Sequence, residues 1–341
     1  MITADLIKEL RNITAPERVM EAESLAGHCS FRTGGPADLF IQVHTAPELE
    51  QTMKLLAESG TEVFLLGRGT NLLIGDGGFR GAVVTMCAPA GTETELCGVS
   101  VDGNTLTAGA GASLLKIAMA AKDASLAGFE FAAGIPGSLG GAVVMNAGAY
   151  GGEMKDVVRS VRIFYPGTGV CEADGSEMGF GYRTSRLRQE AGSESGSAGI
   201  REYAGSEMEF GYRTSRLKHE GGIVLSAQIG LVPGDKQAVT DRIAELAQKR
   251  KDKQPLEFAS AGSTFKRPEG YFAGKLIEDA GLKGFRVGDA QVSEKHAGFV
   301  INRGGASAAQ IRSLIEEVQR RVLENAGVQL EREVIFLGEF I

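Results

Sequence analysis

Two periods of apolar residues alternate along the chain. Stretches 38–43, Val63–Leu66, 82–86, 223–229 and 334–337 are continuous or alternating apolar runs of strand length. Between them lie stripes at helical spacing. One runs through Leu6–Leu10. A second is Leu49, Met53 and Leu56, behind Thr45-Ala46-Pro47-Glu48, which reads as a capping box with proline near the helix start. A third is Leu114, Ile117 and Ala121 after Ser113. The fourth, Val239, Ile243 and Leu246, follows Pro233-Gly234-Asp235 and ends in the basic run Lys249-Arg250-Lys251. The clearest stripe is Ile311, Leu314, Ile315, Val318 and Val322, opened by a second capping box at Ser307–Gln310 and stopped by Gly327.

Two hairpins are expected, 99–101 with 106–108 across Asp102-Gly103-Asn104, and 161–165 with 170–173 across Pro166-Gly167-Thr168-Gly169. Irregular alternation with hairpins favours an α+β chain over a doubly wound sheet. The expected division is 1–232, itself splitting near 90–100, and 233–341.

The chain also carries a tandem repeat. Segment 169–190 realigns with 199–220, and Phe180-Gly181-Tyr182-Arg183-Thr184-Ser185-Arg186-Leu187 recurs letter for letter at 210–217. The Gly/Ser/Glu-rich stretch between the copies reads as a flexible loop. Two copies make no solenoid, and a single structural slot can use only one of them.

The length of 341 residues suits two or three domains, and 43% hydrophobic with 23% charged residues is a globular balance. A net charge of −7 argues against a nucleic-acid or anionic-membrane surface. The N-terminus lacks a signal-peptide core, and no apolar stretch is long enough to span a bilayer, so a cytoplasmic protein is expected, with no obligate protein partner. Cys29, Cys87, Cys97 and Cys171 form no C-x-x-C pair, and His28, His44, His219 and His296 are scattered. Neither a metal site nor a disulfide framework is expected.

Glycine changes the picture: 48 residues, clustered. Gly67-Arg68-Gly69-Thr70-Asn71-Leu72 follows a strand directly. Its amides could hold phosphate oxygens, but it is neither a G-x-G-x-x-G fingerprint nor a Walker loop, and alone it reads as a structural turn. The run Gly134-Ile135-Pro136-Gly137-Ser138-Leu139-Gly140-Gly141 through Asn146 to Gly148 is denser, and its amides also need partners. Two such loops suit the pyrophosphate of a dinucleotide. The repeated Tyr-Arg-x-Ser could fork an arginine onto a carboxylate, or form a surface salt bridge. Ser263, in Ala261-Gly262-Ser263-Thr264-Phe265-Lys266-Arg267, suits an anionic substrate, although a loop serine needs no function. Glu331 and Glu333 alternate onto one face, which alone reads as solvated.

In order, these segments, from Phe31-Arg32-Thr33-Gly34-Gly35-Pro36-Ala37 to Glu333-Val334, resemble the UDP-N-acetylenolpyruvoylglucosamine reductase family. The stretches 273–278 and 296–302 are similar to its type II branch. The resemblance implies an FAD-binding region of vanillyl-alcohol-oxidase type in two subdomains, plus a C-terminal α+β substrate-binding domain.

It further implies that FAD is held non-covalently by Gly67, Arg68, Gly69, Thr70, Asn71, Leu72, Gly134, Gly137, Ser138, Gly140, Gly141 and Asn146. NADPH would be the co-substrate, and an enolpyruvyl UDP-sugar of peptidoglycan precursor synthesis the substrate. Ser263 matches the serine that protonates C2. Arg213 or Arg183, with Glu333, matches the pair that steadies the enolate. The second copy is favoured because it leads promptly into 223–229. Lys253 and Arg267 match substrate phosphate or carboxylate contacts. Two alternatives remain, another flavin-dependent oxidase of this architecture and a non-catalytic nucleotide-binding homologue.

Overall fold

The computed structural model describes residues 2–165, 200–212, 214–217 and 222–341. Arg183, Arg213, Cys171, His219 and the expected strand 170–173 lie outside them.

The chain opens with α1 (Ala4–Ile13), capped by the Thr3 hydroxyl, then β1 (Val19–Ser24) and β2 (Pro36–Gln42). Next come α2 (Ala46–Glu58), β3 (Val63–Leu66), β4 (Leu72–Ile74) and β5 (Phe79–Thr85). The predicted hairpin is β6 (Val99–Asp102) with β7 (Thr105–Gly109), turning at Gly103 with φ +54°. After α3 (Leu114–Asp123) and the short α4 (Leu139–Val144) come β8 (Val158–Phe164), β9 (Ile200–Ala204) and β10 (Ile223–Gly230). The last third holds α5 (Lys236–Lys253), α6 (Ala273–Asp279), β11 (Ala290–Val292), β12 (Val300–Asn302), α7 (Ala308–Ala326) and β13 (Ile335–Leu337). The fold is α+β, and among the described residues no helix is long and apolar enough to cross a membrane.

The chain forms two compact units. The first gathers Met1–Met20, Leu39–Gly67 and Gly81–Gln248; the second gathers Glu21–Asp38, Arg68–Arg80 and Lys249–Ile341. One sheet has the order β1-β2-β5-β3, with β3 and β5 parallel. In the first unit an antiparallel sheet runs β9-β8-β10-β7-β6. The partner of β8 is therefore the strand of the second repeat copy, in the register Phe164↔Ile200 to Ser160↔Ala204. Apolar faces of α2, α3 and α4 close the core of this unit, with Leu49, Leu56, Ile117 and Val143 fully buried. In the second unit, β11 and β12 pair antiparallel under α7, and β13 lies parallel to β4.

The capping hydroxyls sit where expected, but the reciprocal carboxylate and amide partners do not. Thr45 Oγ1 accepts from the Glu48 amide at 3.3 Å, yet Glu48 Oε2 accepts from the His44 amide at 2.7 Å, one residue before the expected target. Arg18 grips both Glu48 oxygens, at 2.7 and 3.0 Å, and draws the carboxylate away from Thr45. Ser307 Oγ accepts from the Gln310 amide at 3.2 Å, but Gln310 Oε1 turns to the Asp289 amide. Asp76 takes the vacated role: its two oxygens accept from the Ala308 and Ala309 amides, both at 2.9 Å.

Candidate functional site

Each unit presents its own set of candidate residues. In the first, Gly67 ends β3 as it leaves the sheet, and a Cβ there would lie 2.9 Å from Ser138 Oγ. The start of the first glycine loop thus meets the second. The second loop is bonded to the strand ends beside it: Leu139 N–H donates to Ala112 O at 2.9 Å and Gly140 N–H to Ala110 O at 2.8 Å. Its centre is not a continuous loop as the glycine density suggested. It winds into α4, where Gly140 is needed because a Cβ would stand 3.1 Å from the Ala110 Cβ.

The amides of Gly137, Ser138 and Gly141 donate to no protein acceptor among the described residues. Ser138 is only 4% exposed, so its unpaired N–H needs an outside partner. Close backbone approach and free donors fit the phosphates of a dinucleotide. The Gly140 amide is already committed to Ala110.

Asn146 is placed differently from a ligand contact. Its Nδ2 donates to Glu153 Oε2 at 2.8 Å and to the Gly211 carbonyl at 3.1 Å, while its Oδ1 accepts from the Lys155 amide at 3.0 Å. The residue is 3% exposed and holds φ +42°, a left-handed conformation that asparagine tolerates better than most residues. Sequence offered one sign of this role, a polar residue of αL-tolerant type directly after an apolar helix.

In the second unit, Gly69 takes φ +60° against the His28 carbonyl, and Arg68 is exposed. Thr70 is half-buried. Asn71 ties this loop to the C-terminal strand: its Nδ2 donates to Glu333 O at 3.1 Å and its carbonyl accepts from Ile335 N–H at 2.9 Å. Leu72 starts β4 and is buried.

Segment 264–266 runs antiparallel to 331–333. Glu333 N–H donates to Thr264 O and Lys266 N–H to Glu331 O, both at 2.9 Å, with Phe265 bridged to Arg332. Ser263 and Glu333 are thereby brought to neighbouring strands. Ser263 is exposed, after Gly262 at φ +75°, whereas Thr264 is fully buried. The Thr264 amide donates to Gly298 O at 2.9 Å and its Oγ1 accepts from Val300 N–H at 3.0 Å. Next to this, Gly298 N–H donates to His296 Nδ1 at 3.1 Å, and burial holds the His296 ring below the usual histidine range.

Glu331 does not share the half-buried setting of Glu333. It is exposed and pairs with Lys266 at 2.9 Å. Arg267 donates to the Tyr271 carbonyl at 3.3 Å and lies 4.0 Å over the Phe272 ring, and Lys253 is exposed at the end of α5.

Residues 37–173 match the model of an FAD binding domain, and residues 254–337 match the C-terminal domain of UDP-N-acetylenolpyruvoylglucosamine reductase. The chain is 45% identical to the UDP-N-acetylenolpyruvoylglucosamine reductase of Lachnoclostridium phytofermentans, over 98% of this chain and 97% of that protein. It is 42% identical to the Clostridioides difficile reductase, over 99% of this chain and 100% of that one. Among solved structures, the reductase from Thermus caldophilus is similar at a TM-score of 0.72 and 32% identity, covering 94% of this chain and 99% of that one.

Proposed function

The chain belongs to the UDP-N-acetylenolpyruvoylglucosamine reductase family, and from that premise we propose that it reduces the enolpyruvyl group of UDP-N-acetylglucosamine enolpyruvate with NADPH, giving UDP-N-acetylmuramate for peptidoglycan precursor synthesis. FAD, when bound, supplies a two-electron carrier that accepts hydride from NADPH and passes it to C3 of the enolpyruvyl group.

In this reading the residues of the chain do the rest. The free amides of Gly137, Ser138 and Gly141 hold the cofactor's pyrophosphate. Residues 233–341 form the substrate-binding part, and Lys253 and Arg267 meet substrate phosphate or carboxylate. Ser263 holds a proton for C2, the carbon that becomes electron-rich when C3 gains hydride. Arg213 (with Arg183 as the alternative) balances the charge that develops there, and Glu333 steadies the enolate as the carboxyl form, which has an O–H to donate to it. A donor preorganised at developing negative charge lowers the barrier by about 3–4 kcal/mol.

The observation that carries this reading is the pairing of 264–266 with 331–333. It sets the exposed Ser263 hydroxyl on the strand beside Glu333, two residue types suited to proton delivery and enolate support. Ser263→Ala tests it. Flavin reduction by NADPH is expected to stay near the wild-type rate, while reoxidation by substrate slows by roughly 10²–10⁴-fold, the range for loss of one general acid. Equal losses in both half-reactions would instead assign the serine to binding or folding.

A further inference from the structure

The two copies of the repeat are identical through the Tyr-Arg-x-Ser segment, so sequence alone does not choose between them. We infer that the second copy supplies this segment to the reductase, and that Ser215 and Asn146 are the positioning residues that seat it on the turn after α4. The inference rests on the reading above for its kinetic consequence only.

Two hydrogen bonds from buried side chains make the seat. Ser215 Oγ donates to the Val144 carbonyl at 2.9 Å, and Ser215 is 1% exposed. Asn146 Nδ2 donates to the Gly211 carbonyl at 3.1 Å. Gly211 and Thr214 bond each other in both directions, at 3.1 and 3.3 Å, so the segment is closed on itself between its two anchors. On either side, Met208 and Leu217 are buried in the core of the first unit. The seat belongs to the turn that continues from the amides assigned to the cofactor. Asn146 therefore couples the cofactor loop to the segment that carries the arginine.

The choice between copies lies where they differ. The Arg216 guanidinium stands 4.8 Å over the Tyr203 ring and 3.8 Å from Glu209. At the corresponding positions the sequence of the first copy has Ala173 and Gly179, neither of them an aromatic or an acidic residue. One difference runs the other way. Glu209 holds φ +48°, a conformation that Gly179 would adopt with less strain. The strand register favours the second copy as well, since β9 precedes the segment directly and pairs with β8 along its length.

Ser215→Ala and Ser185→Ala in the full-length flavoprotein form an internally controlled test, because the two serines have the same immediate neighbours in sequence. Ser215→Ala should leave NADPH reduction of the flavin within about twofold of wild type. Reoxidation by the enolpyruvyl UDP-sugar should slow about tenfold, the loss expected when a buried hydrogen bond that positions a charged group is removed. Hydrogen exchange of peptide 208–217 should quicken. Ser185→Ala should change neither readout. Tyr203→Ala with Glu209→Gly, at partly or fully exposed positions, should quicken the same exchange without touching the buried anchors. An effect of Ser185→Ala equal to or larger than that of Ser215→Ala overturns the inference. So does unchanged exchange in Ser215→Ala, or faster exchange with unaltered reoxidation. If the wild-type flavin is not reoxidised by the UDP-sugar at all, the functional reading fails, while the exchange comparison still decides which copy is seated.

Discussion

The Glu333 amide donates to the Thr264 carbonyl at 2.9 Å, and this bond, with the one from Lys266 N–H to the Glu331 carbonyl, sets the register between the strand that follows Ser263 and the strand that carries the glutamate. The exposed hydroxyl and the half-buried carboxyl group both depend on the buried residue between them.

Thr264→Val should therefore disturb the site from below. The threonine is fully buried, and its Oγ1 is the acceptor for the Val300 amide. Valine keeps the shape and leaves that amide unpaired, which costs about 1–3 kcal/mol. Chemical denaturation should show a loss in this range. A loss below about 0.5 kcal/mol would mean that water or a shifted strand replaces the bond.

Asp76→Ala should destabilise α7 from a distance. The carboxylate caps two first-turn amides, and the Ser307 hydroxyl serves only the Gln310 amide. Loss of a charged cap of this kind costs about 1–2 kcal/mol. Asp76→Asn, which retains one acceptor, should recover part of it. Equal losses in the two variants would show that negative charge at the helix start matters more than the acceptor.

Stability should fall on the acid side of neutrality. Burial holds His296 below the usual histidine range, and burial followed by the neighbouring Arg18 does the same to His44. The fold thus favours the neutral rings. Their contribution is fully present above the unfolded value of about 6.5 and is lost as pH falls through the lower folded values. His296 adds a geometric reason, since its Nδ1 accepts from Gly298 and cannot do so once protonated. Denaturation midpoints measured from about pH 8 to 5 should decline in wild type and decline less in His44→Asn/His296→Asn. An unchanged slope would place the acid sensitivity elsewhere.

Removing residues 170–199 should leave a folded flavoprotein. Antiparallel partners β8 and β9 pair at Phe164↔Ile200, and the deletion shortens their connection from 35 residues to 5, a length that hairpins use. The reduced closure entropy favours the shortened chain by about 1–2 kcal/mol. A thermal midpoint at or above that of the full chain is expected. Failure to fold would show that the removed residues contribute contacts the core needs.

Local signals account for what was legible in the sequence. Thr45, Ser113 and Ser307 mark helix starts because a capping hydroxyl acts within three residues, and the Gly103 turn joins β6 to β7 as its dipeptide required. Long-range partners were not legible. Nothing near Ser307 in sequence indicates Asp76, 232 residues before the Ala308 amide it caps, and nothing near Thr45 indicates that Arg18 would claim Glu48. Glycine density hid α4, because Gly140 serves close packing against Ala110 and not chain freedom. In the site, Ser263 and Glu333 were named through resemblance. Their adjacency comes from a strand pairing that no spacing rule predicts. Asn146, named as a cofactor contact, has its side chain engaged with Glu153, Lys155 and Gly211.

In the proposed function electrons pass from NADPH to an enolpyruvyl UDP-sugar through a non-covalent flavin, and the visible absorption spectrum tests this most directly. The purified protein should be yellow and release free FAD on acid denaturation. Under anaerobic conditions NADPH should bleach it, and UDP-N-acetylglucosamine enolpyruvate should restore the oxidised spectrum with stoichiometric formation of UDP-N-acetylmuramate. A colourless protein that takes up no FAD, or a reduced flavin that only oxygen reoxidises, would contradict the account.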